Sequence, residues 1–371
     1  MLLLVFSALL TVSSPFLQQS AEIAARFDHA VELQRSGELE KAAEEYRLLL
    51  SAAPGYAEAH ANYGAVLSRL GRYEEAVKAY EAALSLNPKL SAVMLNLGIA
   101  HYRAGEFAKA AEVLTRFVAL SPDNQQAHQL LGIALVELGR ESEAVEHLET
   151  QTAGAIDDVT VLYYLGLAYL RLQRKELTTV IQRLDQLAQG KALARMLQGQ
   201  LSLERFEFDS ALNSLEEAAT LQPDLPRLQG LLGLAYIKLG RTKDAIPSFE
   251  RELSRAPGDF FVLYYLGYAH EKLGNLSDAR QRVEAALRVN SESAEANKLY
   301  ANILFKQDQV KAALEAVEKA VKQDPLDTEI RFLRARIFQR LGRAQDAKRE
   351  FAVVEQLKAK ERSRETNPQH P

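Results

Sequence analysis

Apolar and polar positions follow one another along most of the chain with the spacing of amphipathic helices. Within residues 57–90, the large apolar side chains Tyr63 and Leu67 are four residues apart, and Tyr80 and Leu84 repeat that spacing farther along. Positions three or four apart lie on the same side of an α-helix, so each stretch predicts a helix with one buried face. The pattern therefore predicts two short consecutive helices in this segment.

The breaks in the apolar pattern mark where these two helices end. Gly71 lies between the two apolar stretches, and glycine is common in tight turns. Pro88 follows the second stretch, and a proline disfavours the helical conformation in the residue before it. Residues 57–90 are therefore predicted to form a helical hairpin.

The same hairpin pattern recurs along the chain. Glycines return at steps of 33 or 34 residues, at Gly64, Gly98, Gly132, Gly166, Gly199, Gly233 and Gly267. Alanines return at Ala42, Ala76, Ala110, Ala144, Ala211, Ala245, Ala279, Ala313 and Ala347. A fixed period of this length indicates a repeat architecture. It divides the chain into ten units, 23–56, 57–90, 91–124, 125–158, 159–191, 192–225, 226–259, 260–293, 294–327 and 328–361.

The repeated small residues have a mechanical explanation. Gly64 on the first helix and Ala76 and Ala83 on the second would let the two helices approach closely. A glycine inside a helix costs about 1 kcal/mol relative to alanine, so its return at one register implies a packing gain that offsets this cost. Because a single hairpin cannot bury both of its faces, neighbouring hairpins are expected to stack into a solenoid.

These residues resemble the tetratricopeptide repeat, and the resemblance covers residues 23–361. It rests on a bulky residue and glycine at the seventh and eighth places, alanine at the twentieth and twenty-seventh, an aromatic at the twenty-fourth and proline at the thirty-second. It implies an all-α fold, a right-handed superhelical solenoid of about ten helix-turn-helix repeats. The fifth unit departs most from the pattern, with Gln173 at the turn glycine, and we expect a hinge near residues 173–191. Phe206 and Asp308 replace that glycine in the sixth and ninth units.

The resemblance implies a function as well as a fold. In this family the first helices of successive hairpins line a concave groove that binds proteins or peptides. We therefore expect a non-catalytic scaffold that binds a partner segment along this concave face, with no small-molecule substrate and no nucleic acid as partner. The alternative is a substrate-recruiting or regulatory subunit of a separate enzyme, or of a secretion or assembly complex.

Two aromatic segments, three units apart, supply the candidate partner-binding residues. Residues 161–169 read VLYYLGLAY, and residues 262–270 read VLYYLGYAH. Tyrosine combines a large apolar area with a hydroxyl group, which suits recognition surfaces. The rings could pack between adjacent first helices, or they could line the groove for a partner segment. The candidates are Tyr163, Tyr164, Tyr264, Tyr265 and Tyr268.

Two asparagines are weaker candidates for partner binding. Asn62 and Asn96 match the middle register of the carboxylate clamp that some members of the family use to hold a C-terminal carboxylate. The lysine registers in the flanking units are not filled by lysine, so no clamp is complete. The interpretation closest to the residues is that Asn62 and Asn96 are polar groove residues that form local hydrogen bonds.

The sequence contains no familiar catalytic or metal-binding motif. It lacks cysteine, a Gly-rich phosphate loop, a G-x-S-x-G elbow and an H-E-x-x-H helix, so we expect neither an enzyme nor a cofactor. His60 and His128 share the fourth place of their units, and His101 and His270 share the eleventh. We interpret these histidines as packing residues rather than metal ligands.

The two ends of the chain differ from the repeats. The stretch from Leu2 to Val12 is almost wholly apolar but shorter than the roughly 20 residues that span a membrane. It is typical of a signal peptide, although no Lys or Arg precedes Arg26, so residues 1–21 are predicted to be a signal peptide or an N-terminal membrane anchor. Either implies an exported protein, periplasmic or secreted. Residues 328–371 hold eleven Lys or Arg against six acids, and we expect residues 362–371 to form a disordered tail.

Overall fold

The computed structural model describes residues 15–152 and 158–366. The described residues form twenty α-helices joined by short turns, with no strand among them. Helices and turns alternate with the period of the sequence repeat, so each unit contains a first and a second helix. The prediction of an all-α chain of helix-turn-helix repeats is confirmed.

The chain divides into two compact units, residues 1–184 and 185–371. The helices that begin in the first unit are α1 (Pro15–Ser36), α2 (Leu39–Ala52), α3 (Ala57–Arg69), α4 (Tyr73–Leu86), α5 (Ser91–Arg103), α6 (Phe107–Leu120), α7 (Gln125–Glu137), α8 (Glu141–Thr152), α9 (Val159–Arg171) and α10 (Leu177–Gln186). The division falls inside α10, within the irregular fifth repeat.

The second unit continues the same pattern. Its helices are α11 (Lys191–Glu204), α12 (Phe208–Leu221), α13 (Leu228–Lys238), α14 (Thr242–Arg255), α15 (Phe260–Lys272), α16 (Leu276–Val289), α17 (Ala294–Lys306), α18 (Val310–Gln323), α19 (Thr328–Arg340) and α20 (Ala344–Thr366). The helix α20 continues through residues 362–366, which the sequence placed in a disordered tail. Residues 367–371 lie outside the described part.

The recurring glycine of each first helix lies beneath a large side chain of the second helix. A Cβ atom added to Gly64 would lie 2.7 Å from the ring of Tyr80, and one added to Gly98 would lie 2.7 Å from the side chain of Leu114. In each pair the two residues are sixteen positions apart. The glycine register therefore exists because the large residue at the twenty-fourth place needs the space of the missing Cβ atom.

The turns inside the hairpins require a left-handed backbone conformation. Gly71 has a φ of 75° at this place. Where the sequence replaces the turn glycine, the backbone keeps the conformation, since φ is 53° at Gln173, 62° at Phe206 and 60° at Asp308. Non-glycine residues adopt this region at some cost in free energy, so the packing of the two helices maintains the turn.

Within each unit, successive first helices contact each other, as α15 does with α17 and α17 with α19. Among the described residues, successive second helices do not contact each other in this way. The odd-numbered helices therefore lie on the inner side of each stack. We call the surface that they form the inner face.

Arginines at the ends of first helices connect neighbouring repeats. The Arg69 side chain on α3 donates from Nη1 to the backbone oxygen of Gln34 on α1 at 3.1 Å. The Arg171 side chain on α9 donates to the backbone oxygen of Val136 on α7 at 2.7 Å. The last carbonyls of a helix have no partner inside it, so each of these arginines binds the end of the preceding first helix.

Residues at the fourth place of several repeats bind the preceding loop. A carbonyl oxygen can only accept, so Nε2 of His60 donates to Pro54 O at 2.9 Å and Nε2 of His128 donates to Pro122 O at 2.8 Å. Arg331 donates in the same way to Pro325 O at 2.6 Å. The interpretation of His60 and His128 as packing residues is therefore incomplete, because both also hold the connection between repeats.

The N-terminal part is described from residue 15 onward. Residues 15–21, which the sequence assigned to a signal peptide or anchor, are part of α1. The rest of that segment, including the apolar stretch from Leu2 to Val12, lies outside the described residues. Among the helices that are described, none is long and apolar enough to cross a membrane.

Candidate functional site

Five aromatic side chains lie along the first helix of the eighth repeat. They follow one another along α15 and contact each other in sequence, with ring centroids 6.3 Å apart for Phe260 and Tyr264, 4.6 Å for Phe261 and Tyr265, and 6.5 Å for Tyr265 and Tyr268. On the opposite side of the helix Leu266 is fully buried. We call these five aromatic residues the α15 ridge.

The tyrosines of the ridge are half-buried rather than free on the surface. Tyr265 stacks on Phe249 of α14 with centroids 6.1 Å apart, and Tyr264 and Tyr268 pack against the core beneath α16 and α17. Burial raises the pKa of Tyr264 to about 12 and also raises the pKa of Tyr265. The hydroxyl groups of both rings therefore remain protonated and neutral at physiological pH. The rings therefore pack against their neighbours and also present an aromatic edge, and their contact with a partner segment stays a prediction.

A pocket of about 320 Å³ lies on the inner face beside the ridge, between α15, α17 and α19. We call it the α15–α19 pocket. Its aromatic wall includes Phe332, which is 46% exposed and contacts Phe351 edge-on at 5.7 Å. Its lining includes Tyr264, Tyr268, Lys272, Asn302, Phe332 and Arg336. Aromatic rings, an amide and charged side chains of both signs together make a surface suited to a peptide.

Ion pairs fix the middle of this pocket. Lys298 on α17 lies 3.1 Å from Asp327 and 2.9 Å from Glu329. Burial by itself would lower the pKa of Lys298, but its hydrogen bonds to Glu329 and Asp327 outweigh burial and raise that pKa. Lys298 therefore pairs with two carboxylates and holds α17 against the start of α19, and the three side chains together keep one net negative charge.

A second pocket, of about 460 Å³, lies on the other side of the ridge between α13 and α15. We call it the α13–α15 pocket. Leu231, Phe260, Phe261 and Val262 give it an apolar lining. Phe261 is 37% exposed, so this pocket continues the aromatic surface of the ridge.

The floor of the α13–α15 pocket contains a buried carboxylate that sequence analysis missed. Glu252 on α14 is 4% exposed, and its oxygens accept the backbone N–H groups of Arg227 at 3.0 Å, Gln229 at 3.1 Å and Gly230 at 3.2 Å. These are orphan donors at the start of α13, which has no capping side chain of its own and is preceded by Arg227 in the left-handed conformation. Glu252 on α14 therefore caps the start of α13.

The sequence does mark Glu252 as unusual, because it departs from the residue type that other repeats carry at the same place. The twenty-seventh place holds alanine in several other units, at Ala83, Ala218, Ala286 and Ala320, and glutamate at 252. The last place of a repeat can supply the cap of the next first helix. Asp259 does so for α15 by accepting the backbone N–H of Val262, whereas Leu225 stands at the same place before α13 and cannot accept. A charged residue at a core register, opposite a helix that lacks its usual cap, indicates a long-range cap.

The other two candidate tyrosines belong to the first compact unit. Tyr163 and Tyr164 on α9 meet edge-on with centroids 5.5 Å apart. The Tyr164 hydroxyl donates to Glu137 of α7 at 3.2 Å, and burial is the main cause that raises its pKa. The five candidate tyrosines thus form two clusters, one in each unit, and the pockets described above adjoin the cluster on α15.

The two candidate asparagines lie on first helices of the first unit. Asn62 on α3 is half-buried next to the hydroxyl of Tyr46, which also donates to Gln34 at 3.0 Å. Asn96 on α5 is half-buried as well. The position of Asn62 matches the interpretation that it forms local hydrogen bonds.

Within residues 15–152 and 158–366, no cluster of three or more His, Cys, Asp or Glu side chains could hold a metal ion. The nearest approach is a pair of histidines on α7 and α8, in which Nδ1 of His128 and Nδ1 of His147 are 2.9 Å apart. Because Nε2 of His128 donates to Pro122 O, its Nδ1 is the acceptor and His147 is the donor. The pair is thus arranged to share a proton.

Comparison with known proteins agrees with this architecture. Models of the tetratricopeptide repeat match residues 56–123, 95–155, 190–260, 264–328 and 301–353. A curated relative, the BBSome complex member BBS4 homolog of Drosophila melanogaster, is 25% identical over 122 residues, which are 33% of this chain and 25% of that protein. The matched part is therefore a small fraction of the relative.

Solved structures with a similar fold include larger and smaller repeat proteins. The APC/C hetero-tetramer Cut9-Hcn1 aligns with 91% of this chain and 81% of its own, with a TM-score of 0.57 and 13% identity. The MamA RS-1 ArsTM double mutant aligns with 46% of this chain and 96% of its own, with a TM-score of 0.43 and 24% identity. Repeats of this kind support protein–protein interaction scaffolds. With a glycine register explained by helix packing and family models matching most of its length, the chain belongs to the tetratricopeptide repeat family.

Proposed function

We propose that the protein is a non-catalytic scaffold that binds a segment of a partner protein on the inner face of its second unit. The observation that carries the proposal is the α15 ridge, with a pocket on each side of it. Large aromatic side chains next to preformed hollows are typical of the residues that dominate binding energy in protein interfaces. The ridge is built on a packed helix, so a partner segment would bind without first ordering a loop.

Site-specific crosslinking in cells tests this proposal. A photoreactive phenylalanine analogue in place of Phe332, which is 46% exposed on the inner face, should crosslink one partner reproducibly. The matched control places the analogue at Leu221, which is 54% exposed on the second helix α12. The double variant Y268A/F332A should reduce capture of the same partner while far-ultraviolet circular dichroism remains close to wild type, with a lower melting temperature because Tyr268 packs on the core of α16 and α17. Equal crosslinking at both positions, or capture that the double variant leaves unchanged, would contradict the proposal.

A second candidate is a recruiting or regulatory subunit of a larger assembly. The relative that matches 33% of this chain is by its name a member of a complex, which favours this role. The two candidates differ in what is purified with the protein. A stable assembly with a catalytic chain at fixed stoichiometry, measured by size-exclusion chromatography and mass spectrometry, would favour the second.

We also propose that the apolar stretch from Leu2 to Val12 directs export of the protein. Its length and composition are those of a signal-peptide core. Fractionation of cells that express the full chain with a C-terminal tag should place the protein outside the cytoplasm. Replacement of Leu4 and Leu9 by arginine should retain it inside, and an unchanged distribution would contradict export through this segment.

A further inference from the structure

The second helix of the tenth repeat has an uncovered side. In the ninth repeat, α18 packs on α19, the first helix of the following repeat. Among the described helices, α20 contacts α19 alone. The side of α20 that corresponds to the covered side of α18 is therefore open in the described part of the chain.

A hollow of about 380 Å³ lies between α19 and α20. Ala344 and Lys348 in its lining stand at the places of Val310 and Leu314, which in the ninth repeat pack against the core that α19 completes. Its other lining residues are Gln339, Gly342, Ala347 and Phe351. We call it the α20 hollow, and its floor is mainly apolar.

Positive charge surrounds the α20 hollow. Asp346 is shared by two cations, with Arg343 at 2.7 Å and Arg349 at 3.7 Å, and the buried Glu350 is bound by two arginines. The charged residues that line the hollow, pair with its neighbours or follow on the same side of α20 are seven cations, Arg331, Arg334, Arg340, Arg343, Lys348, Arg349 and Lys358, and four acids, Asp308, Asp346, Glu350 and Glu355. The hollow therefore favours a negatively charged surface.

An exposed aromatic ring lies at the turn of the sixth repeat. Phe206 is 78% exposed and meets Phe208 edge-on with centroids 6.1 Å apart. Its φ is 62°, whereas seven other repeats carry glycine at this place, with φ from 73° to 86°. A side chain in this conformation costs free energy, and the ring of Phe206 buries little surface in return. The packing of the hairpin therefore gives no reason for a phenylalanine here.

The residues around this ring are mostly acidic. We call residues 204–209 the Phe206 turn. It carries Glu204, Glu207 and Asp209 against Arg205, and all four are exposed. An exposed ring with a net negative surround is complementary to an apolar hollow with a net positive surround.

We propose that the protein associates with itself head to tail, so that the Phe206 turn of one copy lies in the α20 hollow of a second copy. The helices α11 and α12 make no contact with α19 or α20 among the described residues, so the contact needs two copies. Because the two surfaces differ, each copy in a pair retains one surface that can bind a further copy. This inference is independent of the partner segment on the inner face.

Sedimentation velocity of the purified full chain, from about 1 µM to about 100 µM, tests the inference. The wild type should form larger species as its concentration rises. F206G removes the ring and supplies the residue that this backbone conformation favours, so it should fold and raise the dissociation constant at least about tenfold. The matched control Q173G makes the same change at the same place of the fifth repeat and should associate as the wild type does.

A second variant closes the hollow. A344F places a ring where other repeats carry Tyr73, Phe107 and Phe208, so the hairpin can accept it. It should also associate at least about tenfold more weakly than the wild type. A mixture of F206G and A344F should form a 1:1 dimer and nothing larger, because F206G retains the hollow and A344F retains the ring.

The contribution of charge is measured separately. K348E should weaken association at least about fivefold, whereas K319E, at an exposed lysine on α18, should not change it. Raising the salt concentration from about 0.05 M to about 0.5 M should weaken association of the wild type more than that of K348E.

Three results would each overturn the inference. They are a wild type that stays monomeric at about 100 µM and low salt, an F206G variant that associates as Q173G does, and a mixture of folded F206G and A344F without a dimer. Circular dichroism checks that each variant is folded. If A344F does not fold, the comparison of F206G with Q173G decides by itself.

Discussion

The ring of Phe249 occupies the space into which a side chain at Gly233 would project, since a Cβ atom there would lie 2.6 Å from Cε1 of Phe249. Phe249 is fully buried, so its ring cannot move into solvent. We expect G233A to lower the free energy of unfolding by about 1–2 kcal/mol, because the steric overlap exceeds the gain in helix propensity. Urea denaturation followed by circular dichroism measures this change.

The matched control for this prediction is G258A. Gly258 lies in the loop before α15, and no atom lies within 4 Å of a Cβ added there. Its substitution should change the free energy of unfolding by less than about 0.5 kcal/mol. Equal effects of G233A and G258A would contradict the packing explanation of the glycine register.

The buried carboxylate of Glu252 should contribute strongly to the stability of the second unit. E252A leaves the backbone N–H groups of Arg227, Gln229 and Gly230 without their acceptor, so we expect a loss of about 2–3 kcal/mol. E252Q keeps one acceptor oxygen and should lose less. The exposed neighbour Glu250 provides the control E250A, which should be close to wild type in the same denaturation measurement. A loss in E252A no larger than that in E250A would be inconsistent with a capping role.

The histidine pair of the fourth repeat should make the stability of the first unit depend on pH. Burial, followed by the charge of His128, lowers the pKa of His147, although Glu143 and Glu146 oppose this effect. Because the folded state favours the neutral imidazole, the unfolded state binds more protons, and protonation favours unfolding. The free energy of unfolding should therefore decrease as the pH falls below about 6.5, the usual pKa of histidine.

Denaturation curves at pH 7.5 and pH 5.5 check this prediction. The variant H147F removes the titrating group but keeps an aromatic ring, so its stability should decrease less than that of the wild type over this interval. The exposed His29 provides the control H29Q, which should follow the wild type. A decrease in H147F as large as in the wild type would show that other groups cause the pH dependence.

The arginine at the end of α9 should stabilise the contact between the fourth and fifth repeats. Arg171 Nη1 donates to Val136 O at 2.7 Å and lies 2.8 Å from Glu141, so R171A should cost about 1 kcal/mol. Arg103 occupies the same place in the third repeat, is exposed, and makes no such bond among the described residues. R103A is therefore the matched control, and hydrogen exchange of the last turn of α7 should increase in R171A alone. Increased exchange in both variants, or in neither, would argue against the proposed bond.

The repeat, the helices and their close packing followed from local features of the sequence. The small residues Gly64, Ala76 and Ala83 predicted that two helices approach closely, and the structure shows this approach at Gly64. The replacement of the turn glycine by Gln173, Phe206 and Asp308 was visible in the sequence, but the retention of the left-handed conformation was not. That conformation results from the packing of the helices on either side of each turn.

The contacts that sequence reasoning missed join residues from different helices. Glu252 reaches the start of α13 across a separation of more than twenty residues, and Arg336 of the tenth repeat lies over Phe305 of the ninth. The repeat register shows that such residues depart from the pattern but not which neighbour they contact. The same applies to the tyrosines, since the sequence grouped Tyr163 with Tyr264 by similarity while the structure places them in different units.

The direct bonds between repeats have a consequence for how the protein is made. Helix contacts within the described residues reach no farther than the next hairpin, and the arginine bonds from Arg69 and Arg171 join residues only thirty-five positions apart. Chain closure over such short distances costs little entropy, and folding rates rise as contacts become more local. A hairpin emerging from the ribosome can therefore dock on the one made just before it, without waiting for the C-terminus to be synthesised.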